Sequence, residues 1–184
     1  MLAIAAAAAL LLPLKSQAQL GGLTKIAGGA GGNLTAESLN TDLFSGLQFF
    51  AKANMKFAEA IMPATNSVAI RAKLEAVLET KDTAAAQAAD KETRKQLQAE
   101  IEKLQKEHKV LSEDQKALIK EGEGEATKGV AKWGVVAASL AMAAKSGKTD
   151  AQLATAIPAA QQMIQDLPDI KNMLSTVAKL RKMK

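Results

Sequence analysis

The chain has 184 residues, a formal net charge of +5 and no cysteine. That length allows one domain with a real core. The missing thiols exclude disulfides, thiolate chemistry and a lipid-modified cysteine, so stability must come from packing. Much of the positive excess gathers in the final segment, where Lys171, Lys179, Arg181, Lys182 and Lys184 follow with no acidic residue after Asp169. A local basic end of this kind is not the extended stripe that nucleic acid requires.

The N-terminus carries the clearest functional signal. Leu2 to Leu14 is an apolar run rich in Ala and Leu, and Ser16-Gln17-Ala18 offers small residues at both positions a signal peptidase reads. Residues 1–18 are therefore expected to be a signal peptide, with cleavage after Ala18 and a mature chain beginning at Gln19. No Lys or Arg precedes the apolar run, so the N-terminal amine supplies its only positive charge. Residues 19–40, with Gly21-Gly22 and Gly28-Gly29-Ala30-Gly31-Gly32, read as a flexible leader because glycine at this density loses much backbone entropy on ordering. Residues 41–184 then form a single helical-bundle domain.

Within that domain the pattern is all-α, with about five or six helices. The first is expected over 42–62, capped by Thr41 and stopped by Pro63, with Leu43, Leu47, Phe50, Phe57 and Ile61 on one face. Asn54 falls in the middle of that stripe and reads as a satisfied core polar group, or one that fixes helix register. Phe49 lies on the far face beside Lys52, Lys56 and Glu59, where it could meet a partner. A second amphipathic segment, 67–79, turns Ile70, Leu74, Val77 and Leu78 inward. Lys81-Asp82-Thr83 then breaks or bends the chain.

Leu97, Ile101, Leu104, His108 and Leu111 repeat at four-three spacing, a short coiled-coil-like seam. The charges that fill the rest of 90–125 read as a solvated face. Ser112-Glu113-Asp114-Gln115 is a capping box, so 84–109 and 113–146 are expected to form a long antiparallel helical hairpin turned at Leu111.

The segment 129–144 is read as the bundle's central helix. Ala126, Val130, Trp133, Ala137, Leu140 and Ala144 share one face, while Val135, Ala138 and Met142 make the opposite face apolar too. Its uncharged run between Lys132 and Lys145 is far short of the roughly 18–20 residues that a bilayer requires. Gly122, Gly124, Gly129 and Gly134 each lower helix propensity by about 1 kcal/mol relative to Ala, which close helix–helix approach would offset. Farther on, Leu153, Ile157, Ala160, Ile164 and Leu167 mark one helix, with Pro158 as a bend or break. Ile170, Leu174, Val177 and Leu180 mark the last.

Little here suits catalysis. His108 is the single histidine, and without cysteine the usual zinc sites are unavailable. The carboxylate pairs Glu75/Glu79 and Glu121/Glu125 sit among lysines, and no acidic cluster has calcium-loop spacing. Ser146-Gly147-Lys148-Thr149 imitates the end of a phosphate-binding loop, but Met142 stands where the motif's first glycine belongs and the segment follows a helix. No catalytic residue, metal site or cofactor is expected.

Gln19-Leu20-Gly21-Gly22-Leu23 just past the signal, Ala58-Glu59-Ala60 ending the first helix and the Leu167-Pro168 step before the last are shared features of a loosely defined group. In these the chain resembles secreted all-helical bacterial proteins of unassigned activity. The resemblance implies export and a helical fold, and carries over no site. The expected function is that of an exported, non-enzymatic bundle, periplasmic or extracellular, acting through a protein partner or self-association or in a structural role in the cell envelope. Two alternatives are a membrane-active protein using 129–144 and the basic C-terminus, and a small apolar-ligand carrier with a pocket lined by Met142, Met163 and Trp133. Phe49, Trp133, Lys179, Arg181, Lys182 and Lys184 are the candidate contacts for a partner or a membrane surface.

Overall fold

The computed structural model describes residues 34–146 and 151–183. The segment expected to be a signal peptide, residues 19–33, residues 147–150 and Lys184 lie outside the described residues. Among those described, six α-helices and no strands follow one another: α1 (Ala36–Ile61), α2 (Ala64–Thr80), α3 (Thr83–Lys106), α4 (Glu113–Ser146), α5 (Ala151–Ile164) and α6 (Leu167–Arg181). The all-α bundle read from the sequence is the fold observed.

The hub is α1, which packs against α2, α3, α4 and α5, while α6 closes over α3 and α4. It begins six residues earlier than expected. Thr35, not Thr41, is the N-cap, in a reciprocal box in which the Ser38 amide donates to Thr35 Oγ1 and the Thr35 amide donates to Ser38 Oγ. The extra turns bring Leu39 into the core, fully buried. Pro63 ends the helix as expected.

α1 and α4 form the principal pair of the bundle, running antiparallel. On α4 the buried residues Ile119, Gly122, Ala126, Gly129, Trp133, Val136, Leu140 and Ala143 follow a three-four alternation, the seam of a coiled coil. On α1 the matching series is Leu39, Leu43, Gly46, Phe50, Ala53 and Phe57. Bulk on one helix meets its absence on the other. The Trp133 indole lies on Gly46, the Phe50 ring on Gly129, and the Phe57 ring on Gly122, so close that a Cβ at any of the three glycines would overlap the ring. Trp133 Nε1 donates to the Leu43 carbonyl at 3.0 Å, and the Trp133 and Phe50 rings meet edge to face, their centroids 4.9 Å apart.

Three expectations change here. The central helix is α1, since α4 leaves Met142 53% exposed and Val135 and Ala138 only half-buried. The inward face of α4 is rotated toward its glycines, so that Val136 is buried while Val130 and Ala137 are half-buried. The turn at Leu111 exists, but α3 and α4 barely touch. The antiparallel partner of α4 is α1, because only α1 offers rings and a glycine that fit its own.

Gly124 differs from its neighbours: a Cβ there would meet nothing within 4 Å. Gly124→Ala is therefore expected to stabilise the protein by about 1 kcal/mol through helix propensity alone, and Gly129→Ala to destabilise it by about 1–2 kcal/mol by displacing Phe50. Thermal melts should separate the two variants in sign.

The remaining turns are built locally. Lys81, at φ 56°, ends α2, and Asp82 caps α3 by accepting from the Ala84 and Ala85 amides. After α3 the Lys109 amide donates to the Leu104 carbonyl and the His108 amide to the Gln105 carbonyl, a Schellman motif with His108 at φ 50°. His108 is thus exposed at a helix end rather than on the seam, which ends at Leu104 and resumes at Leu111. A side chain in this left-handed conformation is strained by roughly 1–2 kcal/mol. His108→Gly should therefore raise the urea midpoint, corresponding to a gain of about 1 kcal/mol. The capping box that opens α4 is present: the Ser112 amide donates to Gln115 Oε1, and the Gln115 amide to Ser112 Oγ. Gln115 also donates from Nε2 to the Ala60 carbonyl, satisfying the end of α1.

Candidate functional site

Two polar features stand out, one buried and one open. The buried one begins with Asn54 on α1. Its Nδ2 donates to Asp90 Oδ1 at 2.7 Å, and Arg94, one turn further along α3, donates from Nε to Asp90 Oδ2 at 2.8 Å. The other end of the same guanidinium reaches Asp166 Oδ2 at 3.4 Å, where Gln87 and Lys91 of α3 also donate. Asp90, Arg94 and Asp166 are only 1%, 7% and 5% exposed. Asp166 is the N-cap of α6, yet it makes no capping bond there; its carboxylate is turned onto α3 instead. The network pins three elements together, namely α1, α3 and the α5–α6 turn. Among the described residues no buried side-chain nitrogen or oxygen lacks a partner.

Asn54 is thus the satisfied core group expected. Asp90 and Arg94 are not part of a solvated face, and this corrects the sequence reading. Asp166 had no sequence signal beyond its position before Leu167-Pro168, and its partners are 72 to 79 residues away. The spacing of Asp90 and Arg94, one turn apart on an otherwise Ala- and Leu-lined face, was the only readable hint.

Burial pushes the Asp90 carboxyl above its ordinary value; Arg94 and Asn54 oppose this, and the neighbouring Asp166 adds to it. The folded chain then holds a proton at Asp90 more readily than the unfolded chain. The residue's contribution to stability is greatest below the unfolded pKa and declines as pH rises through the raised folded value. Measured by urea unfolding, wild type should lose stability relative to Asp90→Asn as pH is raised from about 4. A relative gain over that range would show that the ion pair with Arg94 dominates.

The open feature is a groove of about 510 Å³ between α1, α2 and α4. Lys52, Lys56, Arg71, Lys120 and Lys128 line it, against Glu75, Glu121 and Glu125, with Met55 and Gly124 also in its wall. Lys56 pairs with Glu121 at 2.9 Å, Lys128 with Glu125, and Arg71 with Glu59 beyond the rim at 3.0 Å. The bond to Glu121 holds the Lys56 ammonium above its ordinary pKa. Lys128 also lies over the Phe49 ring, 5.8 Å from its centroid. A smaller recess of about 370 Å³, lined in part by Met62, Ile70 and Thr93, lies on the α2–α3 side.

The candidate contacts read from the sequence do not converge. Phe49 is half-buried under Lys128 beside the groove. Trp133 is fully buried and is a core residue, so it offers no contact surface unless α4 leaves α1. Arg181 is half-buried and paired with Glu123 at 3.1 Å. Lys179 and Lys182 are exposed at the end of α6, where they complement the helix dipole, and Lys184 is outside the described residues. A shared pocket for an apolar ligand is not formed by Met142, Met163 and Trp133: the last two are buried and Met142 is exposed. Among the described residues no three His, Asp or Glu side chains gather as a metal set, and no helix is long and apolar enough to cross a membrane.

Comparison with family models, with curated proteins and with solved structures finds no match.

Proposed function

We propose that the protein is exported and works without catalysis, by holding a protein partner or a second copy of itself on the bundle surface. The observation that carries this reading is the groove between α1, α2 and α4. It offers cations, carboxylates and the single apolar side chain of Met55 on one open face, while the large side chains of the α1–α4 seam are buried in the core. The export half rests on the N-terminal pattern and on the resemblance to secreted helical proteins, and predicts that the mature chain isolated from cells begins at Gln19.

A photo-crosslinking amino acid in place of Lys52 tests the binding half in the cell. A discrete adduct is expected there and not from the same group at Glu79 on the exposed end of α2. An adduct of twice the protein's mass would identify self-association. The absence of adducts from both positions would overturn the reading. Membrane activity through residues 129–144 would instead require α4 to separate from α1 and break the whole Trp133 seam.

A further inference from the structure

We propose that the groove receives an acidic amphipathic helix of the partner protein, an inference that rests on the partner-binding reading above. Its lining is cationic by five side chains to three, the acids being Glu75, Glu121 and Glu125, and Lys52 and Lys120 have no carboxylate partner among the described residues. Lys56 and Arg71 pair with the exposed acids Glu121 and Glu59, and Lys128 with the half-buried Glu125. Surface pairs of this kind contribute little to stability, so an incoming carboxylate can replace Glu121 without loss to the fold.

The wall of the groove points the same way. Gly122 and Gly129 are glycines because rings from α1 lie on them, whereas Gly124 has nothing upon it within 4 Å and opens into the groove. A helix glycine without a packing role of its own leaves room for another backbone to approach closely. Met55 beside it supplies an adaptable apolar contact. From Lys120 to Lys128 the α4 wall runs about 12 Å, roughly two turns of an incoming helix. The occupant that fits has carboxylates along its flanks and small or aliphatic residues at helical spacing on the face it presents.

The probe is a fluorescein-labelled synthetic 18-residue peptide with Leu at i, i+3, i+4 and i+7 and Glu on the flanks, titrated with the full mature chain by anisotropy. A counterpart with Lys in place of each Glu is the control. The acidic peptide should bind, the basic one should not, and binding should weaken steeply with salt. Lys52→Glu/Lys120→Glu should weaken it by roughly tenfold or more. Gly124→Leu, which fills the wall without altering charge, should do the same while keeping the wild-type circular dichroism and a urea midpoint no lower than that of wild type. Lys95→Glu/Lys109→Glu makes the same change of charge away from the groove and should leave binding intact.

No binding of the acidic peptide, or equal loss in the Lys95/Lys109 control, would overturn the proposal. So would vesicles of phosphatidylglycerol and phosphatidylcholine that bind the chain and lose it on Gly124→Leu, since the occupant would then be a lipid surface. Crosslinks at position 52 that persist when the peptide fails would overturn this occupant and leave the partner reading standing.

Discussion

Arg94→Met is expected to destabilise the protein by about 3–5 kcal/mol in urea unfolding at neutral pH. Its guanidinium is the cation that both buried carboxylates share, and its removal strands Asp90 at 1% exposure with only Asn54 to solvate it. Asp166 keeps Lys91 and Gln87 and suffers less. The pH dependence separates this loss from one of simple packing. Without Arg94 the folded Asp90 is harder still to ionise, so the deficit should be largest above the raised folded pKa and shrink on acidification toward the unfolded value. Buried ion networks seldom stabilise more than well-packed apolar residues do. Combining Arg94→Met with Asp90→Leu and Asn54→Leu should therefore recover much of the loss. A single-variant deficit below about 1 kcal/mol would mean that water reaches the network.

The second large effect is at the aromatic seam. Trp133→Ala should lose about 3–5 kcal/mol, from the lost burial and the cavity left against Gly46. The pairing of ring and glycine makes a sharper prediction. Gly46→Ala is strongly destabilising in wild type, where its methyl group would overlap the Trp133 indole, but should become neutral or stabilising once the indole is gone. A double-mutant cycle over Gly46 and Trp133 should therefore give a coupling on the order of 1–3 kcal/mol, read from urea midpoints. Additive effects would show that the two residues do not meet.

What could be read from the sequence was local. The Ser112/Gln115 box and the break at Lys81-Asp82 were legible because the residues that make each bond are two or three apart, and the stop at Pro63 because proline breaks a helix by itself. Thr41 was read as the cap because it immediately precedes the stripe that begins at Leu43; the buried Leu39, a turn earlier, goes with the cap at Thr35. The face of α4 was misjudged because a hydropathy pattern treats glycine as a gap. In the fold Gly122 and Gly129 are seam positions, and their size is what admits Phe57 and Phe50. Apolarity on all sides of α4 did not mean enclosure either, because alanine sits as readily at a half-buried position as in a core.

Of the candidate site's cations, only Lys52 and Lys56 beside Phe49 were read from the sequence; Arg71, Lys120 and Lys128 were not, and neither was the groove. Its cations come from α1, α2 and α4, and periodicity within one helix says nothing of which helices become neighbours. Asp166 turned onto Arg94 is the same problem at a distance of 72 residues.

The chain's single tryptophan offers the most direct test of the claim that the Trp133 face of α4 is sealed against α1 in water. Iodide quenching of Trp133 emission, with and without anionic vesicles, reads that enclosure. The account predicts almost no quenching in the native protein and an unchanged spectrum when vesicles are added. Quenching as strong as in the urea-unfolded chain, or a spectrum that shifts with lipid, would contradict it.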